Sequence, residues 1–147
     1  MGWVHLRRGT AAQDQAVILL DTSVIVAWLD ATHASHLRSR RALEHWAARD
    51  QLAVSSVTYA ELAAGARSQE GVDEALEPFE RLELDFQAAW RAGQRFRQFR
   101  PRQNDTPVLP DFFIRAQAAV LNLPHLTNDR RRIVVWPEID FLFPDQV

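Results

Sequence analysis

Asp21, Glu61, Asp111 and Asp129 are far apart in the chain, yet each falls beside a boundary between segments. Asp21 follows the apolar run Val17-Ile18-Leu19-Leu20, and Glu61 lies one to two turns into a helix opened by Ser55-Ser56. Asp111 follows Pro110 at the start of a late helix, and Asp129 ends Thr127-Asn128-Asp129 after a short apolar stretch. In a parallel sheet, the carboxyl ends of the strands and the N-termini of the following helices share one edge, so four remote acids can converge on one cleft. Left alone, such a cluster repels itself and its pKa values rise. A hard divalent cation removes that cost, because Mg²⁺ takes oxygen ligands and keeps several waters. One or two such ions can activate a water and stabilise phosphate charge in phosphodiester hydrolysis, with no thiol, amine or imidazole needed.

Each acid also has a structural reading. Asp21 can cap a helix or end a strand, Asp111 is a first-turn acid favoured by the helix dipole, and Asp129 has ordinary turn chemistry. Glu61 can be a solvated surface residue, although its neighbours Tyr59, Ala60, Leu62 and Ala63 predict a largely buried helix. It is the shared edge that favours a joint role.

The composition narrows the chemistry. The chain has 147 residues, 47% of them apolar and 24% charged, which suits one compact domain. There is no cysteine, so disulfides, thiol nucleophiles and Cys-ligated metals are excluded, and a reducing cytoplasm is the expected location. All 17 basic side chains counted as Lys or Arg are Arg. Schiff-base chemistry and the P-loop lysine are therefore excluded. The net charge of −2 gives no bulk attraction for a polyanion. No run approaches the roughly 18 apolar residues of a membrane span, and Met1 to Gln15 lacks the pattern of a signal peptide. Residues 1–16 are expected to be an N-terminal extension and residues 17–147 a single domain.

The elements that would position the acids alternate between strand and helix. Val17–Leu20 reads as a strand buried on both faces, followed by a helix to about Leu29, for which Thr22 and Ser23 are good caps. A helix over about Ala34 to Arg49 precedes a strand at Gln51–Val54 and the helix carrying Glu61. An acidic helix over Val72–Phe79, a strand at Leu82–Leu84 and a helix from Asp85 or Phe86 to about Phe99 come next. The loop Pro101–Pro110 leads to a helix over Phe112–Leu121, then strands at Leu123–Leu126 and Ile133–Trp136, and an aromatic tail. This order predicts a three-layer α/β/α sandwich with a mainly parallel central sheet.

The sequence resembles the PIN-domain nucleases, in particular the toxins of VapBC-type bacterial toxin–antitoxin pairs, over about Val17 to Pro144. The motifs are Val-Ile-Leu-Leu-Asp21-Thr-Ser23, Ser-Ser-Val-Thr-Tyr-Ala-Glu61-Leu, Leu-Pro-Asp111-Phe-Phe-Ile-Arg-Ala-Gln-Ala and Leu-Thr127-Asn128-Asp129. The resemblance implies an endoribonuclease dependent on Mg²⁺ or Mn²⁺, inhibited by a small VapB-like antitoxin and usually a homodimer. It implies that Asp21, Glu61, Asp111 and Asp129 are the catalytic, metal-binding set, with Ser23 and Thr127 as supporting hydroxyls. Two features depart from the family pattern. Arg131-Arg132-Ile133 stands where relatives commonly place another Asp followed by Phe, and Arg115 replaces a small apolar residue. Arg115 could contact phosphate, pair with a site carboxylate or point outward.

Seven acids crowd the segment from Glu70 to Asp85, and Arg91, Arg95, Arg97, Arg100 and Arg102 follow with no acid between Phe86 and Arg102. Arg91 and Arg95 share a helix face, and Arg130, Arg131 and Arg132 adjoin Asp129. Guanidinium groups hold phosphate bidentately, so these arginines, with Arg115, are expected RNA contacts. The competing reading is a solvated face paired with the acidic segment. Trp28, Trp46, Trp90, Trp136 and Phe141-Leu142-Phe143 are expected in the core or at a partner surface, and His33, His36 and His45 on the surface. Two other functions remain open: an RNA-processing nuclease without a toxin role, and a non-catalytic module that binds RNA or protein. Receiver and phosphatase domains are disfavoured, because they need a lysine and a second Asp two residues after the first.

Overall fold

Val17-Ile18-Leu19-Leu20 forms the middle strand of a five-stranded parallel sheet in the computed structural model, which describes residues 16–99 and 107–147. In chain order the strands are β1 (Val17–Leu20), β2 (Gln51–Ser55), β3 (Glu80–Leu82), β4 (His125–Leu126) and β5 (Phe141–Leu142). The helices are α1 (Thr22–Leu29), α2 (His36–Ala47), α3 (Ser56–Ala63), α4 (Gln69–Ala75), α5 (Phe86–Gln98) and α6 (Phe113–Leu121). The spatial order is β3-β2-β1-β4-β5, with every pairing parallel.

The apolar run in β1 is needed because both of its faces are covered. Ile18 and Leu20 point into one core layer with Leu52, Val54, Val24, Ile25, Leu43 and Leu76. Leu19 points into the other with Ala53, Ala92, Phe112, Ala116 and Trp136. Period-two alternation thus feeds two apolar layers, and the three-layer sandwich expected from the sequence is observed. Side-chain caps start the helices. Asp21, Ser55, Ser68 and Asp85 accept from backbone N–H groups at the heads of α1, α3, α4 and α5. The cap of α1 is Asp21, not Thr22 or Ser23, because Asp21 keeps the extended backbone (φ −78°, ψ 151°) that a cap requires.

Five expectations shift. The acidic helix begins earlier, at Gln69, because Ser68 caps it, and β3 begins at Glu80 rather than Leu82. Ile133–Val135 is a single 3-10 turn, not a strand, since Arg132 adopts a left-handed backbone (φ 59°) that steers the chain away from the sheet. The place beside β4 is taken by Phe141–Leu142, from the segment expected to be a tail. The helix around Glu61 is also not largely buried: Thr58 is its one buried residue, and Ala60, Glu61 and Ala63 face solvent.

Trp136 is buried, Trp28 and Trp46 pack against the core, and Trp90 is exposed. Residues 1–15, with Arg7 and Arg8 of the expected extension, lie outside the described residues, as do Arg100, Arg102 and most of the Pro101–Pro110 loop. Among the described residues no helix is long and apolar enough to cross a membrane.

The layering predicts a contrast measurable by chemical denaturation. Leu20→Ala, at a fully buried position, should lower stability by about 2–5 kcal/mol. Phe86→Ala, at a side chain 95% exposed, should change it by no more than about 0.5 kcal/mol.

Candidate functional site

The strand order reverses at β1, since β2 and β3 extend to one side and β4 and β5 to the other. An α/β sheet offers a crevice at such a reversal, beyond the carboxyl ends of its strands. A pocket of about 350 Å³ opens there, and Asp21, Glu61, Asp111 and Asp129 all line it. Four separate stretches of chain supply these acids: the cap of α1, α3, the 3-10 turn before α6, and the turn after β4.

Ser23 and Thr127 join two of these stretches. The Thr127 hydroxyl donates to Asp21 Oδ2 at 3.1 Å and accepts from the Asp129 backbone N–H at 2.9 Å. Ser23 Oγ accepts from the Asn128 N–H at 3.0 Å, while Asn128 Nδ2 donates to Ser39 Oγ at 2.9 Å. Glu61 accepts from the Thr22 hydroxyl at 2.7 Å, with the Thr58 hydroxyl 2.8 Å from Thr22 Oγ1. Asp111 Oδ2 accepts from the Val108 N–H at 3.1 Å, which closes its own turn.

The donor set consists of carboxylates and hydroxyls, and it matches the oxygen preference of a hard divalent cation. The acids are not grouped as a ready ligand cluster, however. Among the described residues no three Asp, Glu or His side chains stand together as a metal-binding group. Each carboxylate is instead turned toward an internal partner. The Asp129 case is the most marked. Burial tends to raise its pKa, but the hydrogen bonds and charge of Arg131 outweigh that and hold the carboxyl below the usual aspartate value.

Two residues at the site carry no signal that the sequence reading used. His125 is fully buried in β4, donates from Nδ1 to the Leu19 carbonyl at 2.9 Å, and faces Asp21 Oδ1 with Nε2 at 3.7 Å. Burial lowers its pKa despite the nearby Asp21 charge and so favours the neutral ring. A histidine within a two-residue strand gives no periodicity to read. His33, expected simply on the surface, is exposed but lines the pocket.

The structure separates the arginines. Arg115 is 7% exposed and donates to the Arg131 and Asp129 carbonyls at 2.6 and 2.7 Å, so of the three possibilities for it none is realised in simple form. It clamps the backbone of the turn that carries Asp129, with its guanidinium over the Phe141 ring. Arg91 and Arg95 pair with Glu138 rather than with the acidic segment. Arg95 also donates to the Val135 carbonyl at 2.6 Å and lies over Trp136. Arg130 pairs with Asp145 at 2.6 Å above Phe143. Arg131 pairs with Asp129, and only Arg132 of this triplet lines the pocket.

Residues 18–141 match the PIN domain family. Among curated proteins none matches the sequence. Solved structures with the same fold include a toxin–antitoxin complex from Klebsiella pneumoniae, at 22% identity and TM-score 0.67, covering 86% of this chain and 97% of that one. FitAcB from Neisseria gonorrhoeae is similar at 22% identity and TM-score 0.66, over 88% and 99% of the two chains. The Mycobacterium tuberculosis sarcin–ricin loop cleaving toxin VapC20 is similar at 14% identity and TM-score 0.60, over 84% and 97%.

Two predictions follow from these clamps. Arg115→Met should cost about 1–3 kcal/mol by urea denaturation, because it leaves two part-buried carbonyls without their donor. Glu138 is held below its usual pKa, chiefly by the Arg95 hydrogen bond. A depressed carboxylate stabilises the fold above its unfolded pKa, and that contribution is lost as pH falls through the folded value. Wild type should therefore lose thermal stability more steeply than Glu138→Gln as pH drops below about 4.5, and parallel melting curves would contradict the assignment.

Proposed function

The chain belongs to the PIN domain family, and from that premise we propose that it is a divalent-metal-dependent endoribonuclease, the toxin of a type II toxin–antitoxin pair. The observation that carries this reading is the convergence of Asp21, Glu61, Asp111 and Asp129 on one pocket at the reversal of a parallel sheet. Similar solved structures support the toxin role: one is a toxin–antitoxin complex and another a toxin that cleaves the sarcin–ricin loop.

The four acids are the proposed ligands of Mg²⁺ or Mn²⁺, which when bound supplies an activated water and charge stabilisation at the phosphorus. The chain's own groups do the positioning. Thr127 fixes the spacing of Asp21 and Asp129 by bridging them. Thr22 orients Glu61, and His125, tied to the Leu19 carbonyl, backs the Asp21 side of the pocket. Arg132 provides a guanidinium inside the pocket for the RNA phosphate. Arg91, Arg95, Arg130 and Arg131 contribute to RNA binding only where a phosphate can exchange with their carboxylate partners.

The proposed protein partners are a small VapB-like antitoxin and a second copy of the chain. Phe86, 95% exposed, and Trp90, 69% exposed, lie one turn apart on α5 and support an apolar interface. The proposed location is the cytoplasm.

Asp21→Asn and Asp111→Asn should each abolish Mn²⁺-dependent RNA cleavage and growth inhibition while leaving the melting curve of the fold intact. Full cleavage by both variants would refute the reading. Cleavage without growth inhibition would instead identify an RNA-processing enzyme, and the absence of Mn²⁺ binding at millimolar concentration, with and without a cleavage-resistant oligoribonucleotide, would identify a non-catalytic module.

A further inference from the structure

The turn after Asp129 places two guanidinium groups against the pocket's own carboxylates. Arg131 forks onto Asp129: Nε reaches Oδ1 and Nη2 reaches Oδ2, both at 3.0 Å, and the Arg131 backbone N–H adds a bond to Oδ1 at 2.9 Å. Arg132 Nη2 lies 3.7 Å from Asp111 Oδ2, on the opposite wall. The left-handed backbone at Arg132 (φ 59°) turns its side chain inward, where it is 9% exposed, while the Arg131 side chain stays 70% exposed. A non-glycine residue in that region is unusual, and such conformations cluster at functional sites. Arg115 fixes the arrangement by gripping the carbonyls of Asp129 and Arg131.

These pairs are open to two competitors of opposite charge. Carboxylate lone pairs that accept from a guanidinium fork are not available to a divalent cation. The same N–H groups cannot hold a carboxylate and a phosphodiester in one bidentate geometry. A cation that takes Asp129 displaces the Arg131 fork, and a phosphate that takes Arg131 frees Asp129; Arg132 and Asp111, 3.7 Å apart, compete for the same newcomers through charge alone. Whichever arrives first opens the pair, and the second finds its partner already released. Such coupling is reciprocal by thermodynamic necessity.

We propose that Arg131 and Arg132 are internal counter-ions of the pocket, so that divalent metal and RNA phosphate each promote binding of the other by exchanging partners with Asp129 and Asp111. The inference rests on the metal-dependent nuclease reading above and adds a mode of regulation to it: free cation alone fills the site poorly, and RNA alone binds poorly. Direct attraction between a bound cation and a phosphate would also couple the two, but it does not involve the arginines. The arginine variants therefore separate the two sources. A purely structural role for the arginines predicts the opposite sign, since loosening Asp129 would weaken metal binding.

The test is calorimetric titration with Mn²⁺, with and without a 2′-O-methyl oligoribonucleotide as a cleavage-resistant phosphodiester. Wild type should bind Mn²⁺ at least about five-fold more tightly when the oligonucleotide is present, within the usual range of coupling between sites. Arg131→Gln, at an exposed side chain, and Arg132→Gln should each bind Mn²⁺ alone more tightly than wild type and show a smaller oligonucleotide effect, with unchanged melting curves. Equal enhancement in wild type and both variants, or weaker Mn²⁺ binding in both variants, overturns the proposal. Independent binding of Mn²⁺ and oligonucleotide to wild type, which needs no variant to interpret, overturns it and leaves the nuclease reading standing. If wild type binds no Mn²⁺ under either condition, both fall.

Discussion

At the centre of the sheet β1 and β4 run side by side, with Leu19 opposite His125 and Leu20 opposite Leu126. The Asp21 N–H continues the ladder by donating to the Leu126 carbonyl at 2.8 Å. That bond fixes how far each strand extends past the apolar layers before its polar residues begin. A two-residue slip would carry Thr127 past Asp21 and break the hydroxyl bridge between Asp21 and Asp129. The register is specified from both sides, because Ile18 and Leu20 fill one layer and Leu19 the other. Placement of the acids is thus inherited from apolar packing several residues away.

Since no lysine is available, every cationic contact must be made by a planar, multi-donor guanidinium. The chain uses that geometry in ways an ammonium group could not match. Arg115 holds two carbonyls at once, Arg131 forks onto one carboxylate, and Arg95 joins Glu138, a carbonyl and the face of Trp136. Of the arginines that stand out in the sequence as a basic surface, Arg91, Arg95 and Arg130 are structural ties in the fold. The net charge says little about this, because opposite charges are matched locally: Arg81 with Asp73, Arg130 with Asp145, and Arg91 and Arg95 with Glu138.

Features written in short-range patterns were legible in the sequence. The run Val17–Leu20 announced a doubly covered strand, and alternation of strand and helix announced the parallel sheet. Features set by tertiary competition were not. Ile133–Trp136 is as apolar and β-branched as a strand should be, yet the place beside β4 goes to Phe141–Leu142, because the left-handed Arg132 redirects the chain. Glu61 has apolar neighbours but lies on a helix that is exposed over most of its surface. That the four acids line one pocket was legible because each adjoins a boundary that local chemistry marks. His125 was missed because its role depends on a neighbour more than a hundred residues away. The directions of Arg91, Arg95, Arg115 and Arg130 also depend on distant partners, and charge runs carry no information about direction.

The strands of the sheet differ greatly in length. β1 and β2 have four and five residues, whereas β4 and β5 have two each. The ladder on the β4 side therefore contains few backbone bonds, and much of the adhesion there comes from side chains: His125 to Leu19, Asn128 to Ser39 and Arg115 to the following turn. Segments with few ladder bonds open at a lower free energy than the body of a domain. The half of the sheet bearing Asp129 should thus exchange its amide hydrogens well before the half bearing β1 and β2. One wall of the pocket is thus held by long backbone ladders, while the other is held largely by side-chain bonds.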